Sequence, residues 1–538
     1  MHHYKRLVVM IFVLMLLTAC GSVEQTKSTK ENSKGNTEGS TPEELDYYRV
    51  GFWDSGFLSP FTFNQDGPGG FLLNTFIFDS LTWKDDSGVI PLLAEDWAIS
   101  DDGLTYTFDL RENVNWHDGE PVTVSDAVFS YEYFAKHPYN WKGDLSMVES
   151  ISAESESSFS IKLKYPYAPF ITDVAGIIPI IPEHIWKDVD EPMNYTESDA
   201  LIGTGPYEVD TYEQDKGNYL FEANEAYFLG KPRIKKLAII NEDGSMAVKN
   251  DKVDATMTWN FNEVKEMEEA DFDVMESKPT GSAVRLLFNL EHQDIQNKEL
   301  RQAITYALDR ESLATKSLGG NPIVGNAGII PPDSKWYNED VKQYDYNIDK
   351  ANELLDQSGY EKNADGMRDA LELSILISPF EEKEAKLMQS MLEKVGIELE
   401  IKQVDVATFT SLLGENTYDL ALTSHIGFSG DPDYLRVWFL GEASNTYAAR
   451  GKALDNEKFQ ELAEKQVTIL DEEERKQYID EMQDILAEEL PTLVLFHRPF
   501  YWLYDESEYN GWYNTDGGIA DGIPLWMNKA AFIGENKE

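Results

Sequence analysis

The sequence predicts an α/β protein built from about three domains. Three observations predict it. The chain has 538 residues, 42% of them hydrophobic, too much for one compact core at roughly 100–200 residues per domain. From Pro91 to about Pro192 apolar residues recur with period two: Tyr106, Phe108 and Leu110 share one strand face, and Phe159, Ile161 and Leu163 another. From about residue 285 helical stripes alternate with short strands, which implies an α/β domain with a largely parallel sheet.

In chain order, Lys5 and Arg6 precede an uncharged apolar run, Leu7 to Leu17. A membrane-spanning helix needs about 20 such residues, so the run reads as the core of a secretory signal over 1–19. The sole cysteine follows as Leu17-Thr18-Ala19-Cys20-Gly21. This resembles a bacterial lipobox, in which Cys20 becomes the lipidated amino terminus. Residues 20–44 are rich in Ser, Thr, Lys, Glu, Gly and Asn and read as a flexible tether. Globular sequence starts near Leu45, with a first strand over Tyr47 to Trp53.

Further on, Ser125 is the expected cap of a helix over Asp126 to Ala135. Leu300, Ala303, Ile304, Ala307 and Leu308 make a helical stripe; Ala351, Leu354 and Leu355 make another, ended by Gly359. Met388, Met391, Leu392 and Val395 run to Gly396, after which Ile397, Leu399 and Ile401 alternate with charged residues. Tyr418 to Thr423 reads as a strand, residues 456–489 as one long helical stretch, and Leu493 to Phe496 as a short buried strand.

Charge excludes whole classes of function. With 46 Lys and Arg against 97 Asp and Glu, the net charge is −51. A nucleic-acid binder needs a basic face to displace counterions, so no nucleic-acid partner is expected. Long-range attraction of cationic solutes is one reading of the acidity. A solvated surface suited to salty or alkaline surroundings is the favoured one, since screening acts over about 8 Å. One cysteine excludes disulfide frameworks and Cys-based zinc sites. The eight histidines show no metal-ligand spacing, and there is no nucleophile elbow or phosphate loop. No cofactor, metal or catalytic residue is expected. Gly203-Thr204-Gly205 lacks the third glycine and the helix of a dinucleotide site.

Several segments, in order and spacing, resemble the solute-binding proteins of peptide and nickel ABC importers, extracellular solute-binding family 5. They are Pro91 to Trp97 with Asp101 to Phe108, Trp116-His117-Asp118-Gly119-Glu120-Pro121-Val122, Gly203 to Tyr207, Asn224 to Pro232, Phe288-Asn289, Arg301 to Ile304, Ala307 to Arg310, Ala351 to Tyr360, Tyr418 to Leu420, and Gly430-Asp431-Pro432. The resemblance covers about residues 45–530. It implies a two-lobed periplasmic-binding-protein type II fold (cluster C) with an extra inserted domain in the first lobe. Domain I would comprise 45–85, 198–284 and 504–530, domain II 86–197, and domain III, the second lobe, 285–503. The chain would cross between lobes near 284 and 504, and ligand would bind in the cleft between them.

The implied function is that of a monomeric, lipid-anchored receptor on the outer face of the cell membrane, or in the periplasm of a Gram-negative cell. It would pass an oligopeptide or dipeptide to the transmembrane subunits of an ABC permease and would not be an enzyme. Block placement makes Trp53, Phe57, Trp259, Asn260, His425, Phe428, Asp431, Trp438, Tyr447 and His497 the cleft candidates, with Cys20 the anchor. Where peptide-binding relatives hold the peptide amine with a carboxylate, this chain has Phe428; Asp431 or Asp433 would have to substitute. Rival readings are a nickel–metallophore or oligosaccharide receptor of the same fold, a secreted lipoprotein hydrolase, and a receptor for a peptide pheromone.

Overall fold

The computed structural model describes residues 44–64, 69–85, 87–277, 282–319, 323–426, 430–440, 454–513 and 528–533. Three main sheets organise them. A seven-stranded sheet runs, edge to edge, Asp273–Glu276, Tyr501–Tyr504, Ala255–Thr258, Tyr48–Gly51, Lys236–Ile240, Asn218–Ala223 and Tyr207–Glu213. Its central strand, Tyr48–Gly51, is parallel to both neighbours, and its other pairs are antiparallel. A four-stranded antiparallel sheet comprises Ala94–Ile99, Thr105–Leu110, Ser158–Leu163 and Val148–Ala153. Tyr106, Phe108, Phe159, Ile161 and Leu163 are all buried in it, as period-two spacing requires. These two sheets share one continuous apolar core.

The third sheet has six strands, in the order Ile323–Val324, Thr492–His497, Ser282–Phe288, Leu420–Ile426, Glu372–Ile377 and Glu398–Gln403, with its own apolar clusters. It is mixed rather than largely parallel. Only Glu372–Ile377 pairs in parallel, with Glu398–Gln403 and Leu420–Ile426. Ser282–Phe288 is antiparallel to both its neighbours. Alternation of helix and strand says that helices connect strands; it does not say which strands become neighbours.

The chain leaves the seven-stranded sheet after Glu276 and enters the six-stranded one at Ser282; it returns between His497 and Tyr501. These passages lie a few residues before 284 and 504, positions that fall inside strands. The two passes are tied together. Ser277 N donates to Phe500 O at 2.9 Å, Phe500 N to Ser277 Oγ at 3.0 Å, and Arg498 N to Ser282 O at 2.9 Å.

Two local expectations are corrected. Thr123, not Ser125, caps the helix Val124–Phe134: its hydroxyl accepts from Asp126 N while the Asp126 carboxylate accepts from Thr123 N, a reciprocal box. Ser125 instead donates to Glu183. The stretch 456–489 is two helices, Glu457–Gln466 and Glu472–Glu489, capped by Asn456 and Asp471. The break between them carries a consequence. Val467 packs into the core of the first two sheets, and its carbonyl accepts from Ala168 N at 2.6 Å.

Candidate functional site

The strands that end at the crossing bring two groups of side chains to the seam between the lobes. On the first lobe, Trp53 stacks on Phe52 (4.0 Å between centroids) and, at 6.3 Å and 14°, on Trp259; Trp259 meets Phe500 at 5.3 Å. Trp259 keeps 36% of its surface accessible, unusual for so large an apolar ring and fitting for a surface that stacks or covers a ligand. Phe57 lies partly buried against the same core. Asn260 is exposed, but its side chain caps the helix Phe261–Glu268 by accepting from Asn262 N at 3.0 Å. That accounts for Asn260 without a ligand.

On the second lobe, His425 sits near the end of Leu420–Ile426 and meets Trp438 edge-on at 4.7 Å. The Arg285 guanidinium lies 4.8 Å from the Trp438 ring centroid. Burial pulls Arg285 down to about 9, so it remains charged at neutral pH. Burial, reinforced by Arg285 and Lys142, holds His425 well below the usual imidazole range. His425 is therefore a neutral ring beside two cations, poor surroundings for a metal ion, which would add to the positive charge. His497, another candidate, is fully enclosed: Ala283 stands opposite it on one side and Ile323 on the other. Pairing on both sides makes it part of the sheet rather than of an accessible wall.

Asp431 and Asp433, expected as possible receivers of a ligand amine, have partners within the protein. Asp431 accepts a forked pair from Arg475 at 2.6 and 2.7 Å. Asp433 accepts two bonds from Arg436 at 2.7 and 2.6 Å, one from Gln466 at 2.6 Å, and one across the seam from Tyr167 Oη at 3.2 Å. Such bidentate pairs are strong and geometrically specific, so these carboxylates act as fixings of the Gly430–Asp433 turn. Phe428, Tyr447 and Cys20 lie outside the described residues.

Three seam residues were missed from sequence. Arg285 is the lone charge in the wholly buried strand Ser282–Phe288, and Asp173 the lone charge in an apolar run from Val174 to Ile181 and its preceding turn. A solitary charge in an apolar run is the signal that would have found both. Lys142 had no such signal. It is solvent-exposed, yet the protein crowded around it pulls its ammonium down to about 8, with Asp173 opposing the shift.

The sequence profile described as bacterial extracellular solute-binding proteins, family 5 Middle, matches residues 88–447. The dipeptide-binding protein of Escherichia coli (strain K12) is 24% identical over 438 residues, covering 77% of this chain and 82% of that one. The oligopeptide-binding protein AppA of Bacillus subtilis (strain 168) is 26% identical over 534 residues, covering 92% and 94%. Among solved structures, the substrate-binding protein CtaP of Listeria monocytogenes superposes with a TM-score of 0.74 at 23% identity, covering 86% of this chain and 94% of that one.

Proposed function

The chain belongs to the family 5 bacterial extracellular solute-binding proteins, and we propose that it is the lipid-anchored receptor of an ABC importer, capturing di- or oligopeptides between its lobes. Domain I would span 45–85, 198–284 and 504–530, domain II 86–197, and domain III 285–503. The observation that carries the reading is the pairing of the two crossing strands through Ser277 and Phe500, with aromatic walls on both sides of the seam. Such a joint lets two rigid lobes close on a solute. Closure then reports occupancy to a permease, because ligand shifts the population by its differential affinity for the closed form. No step in this cycle needs bond chemistry.

Cys20 would carry the lipid, and residues 21–44 would hold the lobes away from the membrane. Among the described residues no helix is long and apolar enough to cross a membrane. Replacing Cys20 by Ala is expected to move the protein from the membrane fraction to the medium or periplasmic extract.

Thermal unfolding of the mature chain tests the ligand class. Peptide at about 100 times its dissociation constant stabilises by about 2.7 kcal/mol, a readable rise in melting temperature. A rise with peptides of two to ten residues supports the proposal and brackets the length. A rise only with nickel–histidine moves the protein to metal import, and turnover of a bound peptide would revive the hydrolase reading.

A further inference from the structure

Among the described residues, no ion pair accounts for Asp173. It lies in a π-helical turn, Phe170–Ala175; such turns are rare and recur at functional positions. The turn follows directly on Tyr167 and Ala168, the two residues that hydrogen-bond to the second lobe. The groups whose charge or hydrogen bonding acts on Asp173 or its neighbours come from every side of the seam. They are the Thr172 hydroxyl on its own turn, Tyr167 before it, Lys142 from the loop ahead of the strand Val148–Ala153, and Asp431, Asp433 and Arg475 from the second lobe. Asp431 is neutralised by Arg475 and Asp433 by Arg436.

Asp173 differs from these two. Among the described residues no cation lies within ion-pair distance of its carboxylate, and the neighbouring Thr172 hydroxyl donates to Pro169 O at 3.1 Å. Asp173 is half-buried. Yet loss of solvation dominates its ionisation and, with the nearby Asp431, pushes its carboxyl up to about 7. A half-enclosed carboxylate that is costly to ionise alone becomes favourable to ionise when a cation arrives beside it. The turn adjoins the candidate site: Tyr167 ahead of it donates to Asp433 at 3.2 Å, and Asp433 N donates to Asp431 Oδ1 at 2.9 Å.

We propose that Asp173 is a specificity-determining residue that receives a cationic group of the solute, such as a peptide ammonium. The inference rests on the reading of the seam as a peptide site. The ligand's cation and a proton compete for the same carboxylate, so binding expels the proton. Below about pH 7, affinity for a cationic solute therefore rises with pH.

The test is calorimetric titration of the mature chain with tri-alanine and penta-alanine, each with a free and an N-acetylated amino terminus. Titrations run at about pH 6 in two buffers of different ionisation enthalpy, which counts protons released. The free amine is expected to bind at least about tenfold tighter than the acetylated form, with net proton release. In Asp173→Asn that preference and the release both vanish, while acetylated peptide binds as well as to the wild type. Asp173→Glu, should the Asn variant fail to fold, retains the release with a weakened preference. Equal affinity for both forms, or a preference that survives Asp173→Asn, overturns this inference and leaves the peptide function standing. Binding of neither form overturns both.

Discussion

Asp79 shows how single residues made the family legible. Its carboxylate, 0% accessible, accepts from Thr204 Oγ1 at 2.9 Å and from Tyr227 Oη at 3.1 Å, and forms an ion pair with the buried Lys529. Thr204 and Tyr227 belong to two separate sequence blocks that carry the resemblance. A third block joins through His117, which is held neutral by burial: its Nδ1 accepts from Gly203 N at 3.2 Å and its Nε2 lies 3.0 Å from Gly205 O. Asn289, Arg301 and Arg310, from further blocks, likewise bind backbone carbonyls. The recurring residues thus hold the scaffold, which is why they announced the fold and said little about the ligand. Asp79→Asn leaves the Lys529 ammonium buried without its counter-charge. It is expected to cost about 3–5 kcal/mol in urea unfolding, whereas Asp79→Leu with Lys529→Met should be far milder.

At the scale of elements, local signals worked where one short segment decides the outcome. Gly359 and Gly396, read as helix stops, have φ of 88° and 84°. Leu399 is buried and its charged neighbours Glu398 and Glu400 are exposed. Local signals failed where several candidates compete. Thr123, Ser125 and Asp126 all favour a helix start, and the reciprocal bonding of Thr123 with Asp126 decides. The glycine pair in Gly203-Thr204-Gly205 serves close packing rather than phosphate binding: a Cβ on Gly203 would lie 2.0 Å from Ile77 O, and one on Gly205 2.3 Å from Phe76 O. Gly203→Ala is therefore expected to lower stability by about 1–3 kcal/mol or more, measured as a lower denaturation midpoint with unchanged m-value.

The whole molecule depends on contacts between segments far apart in sequence. Tyr167 Oη reaches Asp433 over a separation of 266 residues, and Ala168 N reaches Val467 O. Leu470 from the same inter-helix break packs on Gly103 so closely that a Cβ there would lie 2.7 Å from its Cδ1. These contacts join the inserted region to the second lobe. Tyr167→Phe removes one of them and leaves Asp433 its Arg436 and Gln466 partners. A net hydrogen bond is worth about 0.5–1.5 kcal/mol, so affinity for the solute is expected to fall about two- to tenfold. Small-angle scattering should show a larger radius of gyration for the ligand-free variant; unchanged values in both measurements would exclude the bond from closure.

What the sequence determined by itself was the class of fold, the periodic strands and helix stops, and the family. Each of these is written in neighbouring residues or in blocks whose order is preserved. Only the tertiary structure decided the mixed pairing of the six-stranded sheet, the engagement of Asp431 and Asp433 by arginines, the enclosure of His497, and the placing of Lys142, Asp173 and Arg285 at one seam. The physical reason is the same throughout. Hydrophobic period and turn chemistry act within a few residues. The charge, solvation and partner of a side chain are set by whatever the fold brings against it.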